Sequence, residues 1–187
     1  MRSGTNSIAT DWSRDGRYVV YMANELGTNW NIWAMPLTGD PTPQPILRSH
    51  FNETDGRVSP DGRWLAYVSD ESGKSEVYVQ RFFSPGGKWR ISSMGGSEPQ
   101  WSRNGQEIFY MATDQKPMAV SMRAGFSLDP GTPKALFQVR TATDFVGPEY
   151  DVSADGQRFL VNTLVDEEAS PPLNVIVNWT DALITQH

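Results

Sequence analysis

The stretch "RVSPDGRWLAYVSDESG", residues 57–73, places an Asp-Gly turn directly before a run of aromatic and branched residues. The chain repeats this phrase three more times, as "DWSRDGRYVVYMANELG" from Asp11, "QWSRNGQEIFYMATDQK" from Gln100 and "DVSADGQRFLVNTLVDE" from Asp151. The turn serines recur at intervals of 43 to 51 residues. Such regular recurrence indicates a repeat protein whose units share one supersecondary structure.

Each repeat shows the alternation of apolar and polar residues that β-strands require. In the second repeat we predict strands near Arg57–Ser59, Trp64–Ser69, Glu76–Arg81 and Lys88–Ser92. The turn glycine accepts a positive φ without a Cβ clash, and the preceding Asp or Asn can bond the backbone two residues on. The structural turn residues predicted in this way are Asp15, Gly16, Asp61, Gly62, Asn104, Gly105, Asp155 and Gly156.

Four short antiparallel strands in every ~40–50 residues are typical of a propeller blade. We therefore predict an all-β protein, with one β-propeller domain over residues 1–187 and four blades of about four strands. The blades are expected at approximately residues 8–50, 51–95, 96–143 and 144–187. An immunoglobulin-like sandwich also has many short strands, but it would not repeat one turn phrase four times.

The fourth repeat offers fewer strands than the other three. It provides Glu149–Ser153, Arg158–Leu164 and Leu173–Trp179, after which only "TDALITQH" remains. An open sheet edge invites pairing with another chain. Three arrangements therefore remain open: a closed four-bladed ring, half of an eight-bladed ring completed by a homodimer through the fourth blade, and a fragment of a larger ring.

The phrases "RVSPDGRWLAYVSDESGKSEVYVQRF" and "EPQWSRNGQEIFYM" resemble the repeats of the TolB-type (WD-like) β-propeller family. Such repeats also occur in prolyl-oligopeptidase-type and tricorn peptidases. The segments "YDVSADGQRFLVN" and "NVIVNWTDAL" resemble the C-terminal blades of large bacterial propellers, which are often fused to serine/threonine kinases. The resemblance implies a sensing or interaction role and an extracytoplasmic or periplasmic location.

Composition excludes several classes of function. The net charge of −6 and the pI of about 4.9 disfavour nucleic acid as a partner, since its phosphates would be repelled. The absence of cysteine excludes disulfides, thiolate metal ligands and cysteine nucleophiles. No apolar run approaches the roughly 20 residues that cross a bilayer, so we expect a soluble chain without membrane insertion.

Three carboxylates occupy equivalent positions, two residues before the aligned start of each phrase. They are Asp55, Glu98 and Glu149, and Ala9 stands at this position in the first repeat. Propeller ligands usually bind where loops converge at one end of the channel, so we predict these acids as ligand-binding residues. They could attract a cationic peptide or hold a divalent cation such as Ca²⁺. The alternative is that they are solvated loop acids bonded to local backbone; no metal site or other cofactor is predicted.

His50, in "RSHFNETDG", is the candidate for a catalytic base, because the other histidine is the last residue, His187. Glu53 and Asp55 lie close to His50 in sequence. However, the chain has no G-x-S-x-G elbow. We therefore predict a non-catalytic binding or scaffold module that presents channel-mouth loops to a protein, peptide or small ligand. The alternative is a small esterase- or peptidase-type hydrolase at the propeller axis, using His50 and the three acids.

Two tryptophans share one repeat position. Trp12 and Trp101 stand where Val58 and Val152 occur in the other repeats. Because Trp interchanges with Val, we predict that both tryptophans pack between blades rather than forming a platform for a ligand.

Overall fold

The computed structural model describes residues 5–25, 28–84, 86–124, 128–141, 149–163 and 174–177. These residues form sixteen strands in antiparallel sheets and contain no helix. The first sheet contains β1 (Thr5–Trp12), β2 (Tyr18–Glu25), β3 (Asn31–Pro36) and β4 (Gln44–Leu47). The second sheet contains β5 (Glu53–Val58), β6 (Trp64–Ser69), β7 (Glu76–Arg81) and β8 (Lys88–Arg90).

The third and fourth sheets follow the same plan. The third contains β9 (Ser97–Trp101), β10 (Glu107–Met111), β11 (Pro117–Ala124) and β12 (Leu128–Pro130), and β13 (Lys134–Ala135) also pairs with β11. The fourth contains β14 (Tyr150–Val152), β15 (Arg158–Val161) and β16 (Asn174–Val177). Apart from β13, the strands of each sheet pair in the order of the sequence, as in a propeller blade, and the predicted all-β class is confirmed.

One hydrogen-bonded turn joins the first two strands of every sheet. In the second sheet, Ser59 Oγ donates to Asp61 Oδ1 at 2.6 Å and accepts the backbone N–H of Trp64 at 2.9 Å. Gly62 has a φ of +73° and donates its N–H to the Ser59 carbonyl at 2.8 Å. The same three bonds recur around Ser13, Ser102 and Ser153. The repeated phrase therefore encodes a local network that is built four times.

The inner strand of the second sheet begins earlier than we predicted. We expected it near Arg57, but β5 begins at Glu53 and contains a β-bulge. Thr54 lies opposite Val68 and Arg57 lies opposite Ala66, so two residues of β5 face one residue of β6. The Asp-Gly pair at 55–56 resembles a turn in sequence, and it instead forms this bulge inside the strand.

Close packing leaves no room for a side chain at Gly56. A Cβ at this position would lie 3.1 Å from the side chains of Val20 and Ile32 in the first sheet. The backbone of β5 therefore approaches the first sheet too closely for a larger residue. Thr10 Oγ1 donates to the Gly56 carbonyl at 2.8 Å, which adds a polar link between the same two sheets.

The core lies between adjacent sheets in three clusters. Representative fully buried residues are Val20, Ile32 and Tyr67 between the first and second sheets, Trp64, Val77 and Ile108 between the second and third, and Phe109, Tyr150 and Phe159 between the third and fourth. Face-to-face packing of successive sheets removes this apolar surface from water.

The outer strands and one tryptophan differ from our expectations. The outer strand expected at Lys88–Ser92 is limited to Lys88–Arg90. The strand expected at Leu173–Trp179 is described as Asn174–Val177, and the segment "TDALITQH" lies outside the described residues. Trp12, which we predicted to pack between blades, is 65% exposed, because among the described residues no sheet covers the outer face of the first sheet as the second sheet covers Trp101.

Candidate ligand-binding site

The acid cluster, defined as Asp55, Glu98 and Glu149, lies where the inner strands begin. Asp55 lies in the bulge of β5, Glu98 lies in the corresponding bulge of β9, and Glu149 directly precedes β14. The two bulged positions are inside strands rather than on the entering loops where we expected them, because each inner strand extends past its bulge. All three residues are partly exposed, so a ligand can reach them.

The backbone conformation is unusual at two members of the cluster. Asp55 has a φ of +53° and Glu98 has a φ of +51°, both in the left-handed region. A residue with a Cβ is disfavoured there by roughly 1 kcal/mol or more relative to glycine. Two blades thus hold a carboxylate in the same strained conformation at the same repeat position.

Hydrogen bonds connect the three acids across neighbouring blades. Glu98 Oε2 accepts the backbone N–H of Glu149 at 2.8 Å. The Tyr150 hydroxyl donates to the Glu98 carbonyl oxygen, also at 2.8 Å. The Asp55 carboxylate in turn accepts a backbone hydrogen bond from Glu98. Asp55 and Glu98 therefore each accept a hydrogen bond from the backbone of the equivalent acid of the next blade, and the structure brings all three predicted residues together.

Burial and mutual repulsion disfavour the ionised form of the carboxyl groups in the cluster. The pKa of Glu98 is raised to about 7, mainly by burial and further by the charges of Glu149 and Asp55, while the N–H of Glu149 opposes the rise. Burial also raises the pKa of Asp55, against hydrogen bonds from Thr54 and Glu98. The carboxylates are short of positive partners.

Arg57 contributes positive charge to this site, and it was not among the residues that we predicted from the sequence. Burial raises the pKa values of Asp11, Asp55 and Glu98, and the guanidinium charge of Arg57 opposes this rise. The repeat alignment contained the signal, because Arg57 stands where the other repeats have Asp11, Gln100 and Asp151. The charge of one arginine thus acts on three carboxylates.

A cavity of about 250 Å³ lies beside Arg57, between the inner strands. Asp11, Arg57, Gln100 and Trp101 contribute to its lining. Asp11 Oδ2 accepts the N–H of Val58 at 2.7 Å, and Trp101 Nε1 donates to the Arg57 carbonyl at 3.1 Å. These bonds cross from one sheet to the next, so polar groups line the space between the inner strands.

The part of the chain that the structure describes contains no preformed metal site. Those residues contain no group of three or more His, Cys, Asp and Glu side chains arranged to hold an ion. The possible Ca²⁺ at the channel mouth stays a prediction.

His50 lies on the exposed loop between β4 and β5. Its ring contacts the Phe51 ring with centroids 4.0 Å apart, and its carbonyl accepts a hydrogen bond from the Asn29 side chain. Glu53 is buried and accepts a hydrogen bond from the Ser49 hydroxyl. Among the described residues no hydrogen bond joins the His50 imidazole to a hydroxyl or carboxylate side chain, so the geometry does not assemble a nucleophile–base pair. His187 lies outside the described residues.

A family model described as the TolB beta propeller domain matches residues 2–136. The chain belongs to the TolB β-propeller domain family. This match confirms the resemblance carried by the repeated turn phrase, and the propeller fold predicted from it is confirmed as well. No helix among the described residues is long and apolar enough to be a membrane span.

The chain is also similar to individual known proteins. The protein called "Uncharacterized peptidase YuxL" from Bacillus subtilis (strain 168) is 30% identical over 128 residues, which are 63% of this chain and 18% of that protein. The crystal structure of TolB from Acinetobacter baumannii is 18% identical with a TM-score of 0.68, covering 95% of this chain and 42% of that one. For the putative TolB from Agrobacterium tumefaciens the identity is 24%, the TM-score 0.63, and the coverage 87% and 56%.

The chain spans only part of these relatives, from 18% of the Bacillus protein to 56% of the Agrobacterium structure. At these identities the solved structures bear on the fold of this chain and not on its ligands.

Proposed function

We propose that this TolB-type propeller is a non-catalytic binding module that captures a cationic group of a protein or peptide partner at the acid cluster. The observation that carries the proposal is the pKa of Glu98, raised to about 7 beside two further carboxylates. A ligand ammonium or guanidinium would supply the positive charge that Asp55, Glu98 and Glu149 lack. Its binding would favour the ionised form of Glu98.

The backbone strain supports a role beyond folding. Asp55 and Glu98 adopt the left-handed conformation that glycine would adopt at lower cost. Residues held in such regions cluster at ligand sites, where the surrounding structure determines them. The hydrogen bonds between the acids explain in part why Asp55 and Glu98 keep this left-handed conformation. They leave oxygen atoms of each carboxylate available to a ligand, because a carboxylate has about four lone-pair sites.

Accessibility also supports binding of an extended partner. The three acids are partly exposed, and successive blades present them in a row. A peptide with several cations can therefore contact more than one acid at once. A peptide or protein ligand with several cations suits this arrangement, because each acid lies on or beside the inner strand of a different blade.

Calorimetric titration with a defined peptide tests the proposal. The probe is an N-acetylated, C-amidated peptide of alternating lysine and alanine, and the control peptide carries acetylated lysines, which have no charge. We expect the charged peptide alone to bind. The Glu98→Gln substitution should weaken binding by about tenfold, the effect of losing one charge-assisted hydrogen bond.

A matched variant controls for loss of net charge. Asp40→Asn removes one carboxylate from the exposed loop between β3 and β4, where Asp40 accepts hydrogen bonds from Thr42 that Asn can still accept. Its affinity should stay within about twofold of wild type, since the loop lies outside the acid cluster. Equal losses in Glu98→Gln and Asp40→Asn would mean that the peptide recognises overall charge, and the proposal would fail.

A hydrolase is the second candidate, and one observation favours it. A carboxyl with a pKa of about 7 is suited to general acid–base catalysis near neutral pH, and the Bacillus relative is named a peptidase. In this alternative Glu98 would transfer the proton and His50 would assist from the β4–β5 loop.

Turnover of p-nitrophenyl acetate and alanine p-nitroanilide separates the two candidates. A hydrolase should lose roughly a hundredfold or more of its rate in Glu98→Gln or His50→Ala. The binding proposal expects no turnover above buffer in wild type. Turnover that both substitutions abolish would replace the binding proposal with the hydrolase.

A further inference from the structure

The end of the inner strands opposite the acid cluster carries a separate cleft of about 950 Å³. It lies between the second and third sheets, beside their Asp-Gly and Asn-Gly turns. Its lining contains four arginines and only two carboxylates, Asp61 and Glu107. The arginines are Arg14, Arg63, Arg103 and Arg123. A positive cleft in a chain of net charge −6 is a local reversal of the overall electrostatics.

The repeated turn explains how the arginines converge. Arg14 and Arg103 follow the turn serines of the first and third repeats, and Arg63 follows the turn glycine of the second. Arg14 Nη1 donates to the Arg103 carbonyl at 2.9 Å, which holds these two turns together. Turns from three blades thus direct guanidinium groups to one place, and Arg123 joins them from β11.

The positive charge of the cleft is only partly neutralised by the protein. Arg63 pairs with Asp61 at 2.7 Å, and Arg123 lies 3.8 Å from Asp129. Among the described residues, Arg14 and Arg103 form no salt bridge with a carboxylate. The charge of Arg14 also acts on Asp11, where it opposes the rise in pKa that burial causes. Guanidinium groups recognise phosphate and carboxylate through paired hydrogen bonds, so arginines that form no salt bridge on neighbouring turns favour a dianion.

The wall of the cleft is aromatic as well as charged. Trp64 and Trp101 line it. The volume lies within the ~300–1,000 Å³ range of small-molecule sites. These features match a ligand with a phosphate group and a planar or apolar body.

We propose that this cleft binds a small organic phosphate monoester, with Arg14 and Arg103 contacting the phosphate and Trp101 contacting the organic part. The cleft lies at the turn end of the inner strands, and the acid cluster lies at their other end, although Arg14 and Trp101 also line the cavity beside Arg57. The two sites select ligands of opposite charge. Phosphate binding in the cleft does not depend on the function proposed above.

Binding of phenyl phosphate at pH 7.5, measured by calorimetry at fixed ionic strength, tests this proposal. We expect a dissociation constant below about 1 mM, with inorganic phosphate weaker and the monoanion benzoate weaker still. Arg103→Gln should reduce the affinity for phenyl phosphate by tenfold or more, because it removes charge-assisted hydrogen bonds. Arg103 is exposed, so the substitution leaves the core intact.

Arg90→Gln is the matched control, because Arg90 is an exposed arginine of β8 outside the cleft lining. It should leave the affinity unchanged. Three results would overturn the proposal: no detectable binding of phenyl phosphate up to about 10 mM, equal losses in the two variants, or binding of benzoate as tight as that of phenyl phosphate. A single-stranded oligonucleotide that displaces phenyl phosphate at equal phosphate concentration would also overturn it, in favour of a polyanion site.

Discussion

The carboxylate of Glu98 accepts a hydrogen bond at 2.8 Å from the backbone N–H of Glu149, the residue at the same position of the next repeat. One side chain therefore serves two purposes. It joins two blades, and it stays in a partly exposed cluster where burial and neighbouring acids raise its pKa to about 7. This double role connects the fold of the protein to its proposed ligand.

The first prediction concerns the pH dependence of stability. Glu98 binds its proton more tightly in the folded protein, where its pKa is about 7, than in the unfolded chain, where the value is 4.5. The free energy of unfolding should therefore fall as the pH rises from 4.5 to 7. Allowing for partial exposure, the contribution is on the order of 1–2 kcal/mol. Urea unfolding of wild type and Glu98→Gln across this pH range measures the contribution of Glu98. If the free energy of unfolding changes with pH in the same way in both proteins, the prediction is wrong.

The second prediction concerns the repeated turn. Ser59→Ala removes the donor to Asp61 and the acceptor of the Trp64 N–H in a buried turn, so it should lower the free energy of unfolding by about 1–3 kcal/mol. Ser153→Ala removes the same bonds from a more exposed turn, where water can replace them. Its effect should be smaller, below about 1 kcal/mol. Equal effects in denaturant unfolding would show that burial does not determine the strength of the turn network.

The third prediction compares the two repeat-equivalent tryptophans. Trp101→Ala should destabilise the protein by roughly 3 kcal/mol, since Trp101 packs against a core cluster and donates to the Arg57 carbonyl. Trp12→Ala should change the free energy of unfolding by less than about 0.5 kcal/mol, because Trp12 is 65% exposed. If Trp12→Ala proves equally costly, and the cost depends on protein concentration, then a second copy covers the first sheet. That outcome would favour the homodimeric ring.

The fourth prediction tests the link between the third and fourth sheets. Tyr150 is buried, and its hydroxyl donates to the Glu98 carbonyl at 2.8 Å. Tyr150→Phe should lower the free energy of unfolding by about 1–2 kcal/mol, because it leaves that carbonyl without this donor. Amide hydrogen exchange should then rise first in β14 and β15. Unchanged exchange in both strands would contradict a structural role for this bond.

Sequence alone predicted the fold because the decisive signals are local. The bonds of the turn at Ser59 join residues no more than five positions apart, so the phrase "SPDGRW" specifies them wherever it occurs. The period-two pattern gave Trp64–Ser69 and Glu76–Arg81 with the observed bounds. The same repeated phrase predicted the TolB-type family, and the family model that matches residues 2–136 confirms it.

The acid cluster was only partly predictable. Repeat equivalence placed Asp55, Glu98 and Glu149 at one end of the blades, because equivalent residues of successive blades occupy equivalent places. It gave neither the positive φ values nor the bulges, since Asp-Gly at 55–56 has the same local signature as a turn. The shared role of Arg57 depends on the approach of three sheets, which no local pattern records.

The central claim is that Arg57 offsets only part of the charge of the acid cluster and that the ligand supplies further positive charge. The most direct test is the pKa of Glu98 itself. We would follow the side-chain carboxyl carbon of Glu98 by NMR through a pH titration, with and without the lysine–alanine peptide. The account predicts a pKa of about 7 in the free protein and a clear decrease when the peptide is bound. A pKa near the ordinary value of 4.5 in the free protein, or one that the peptide leaves unchanged, would contradict it.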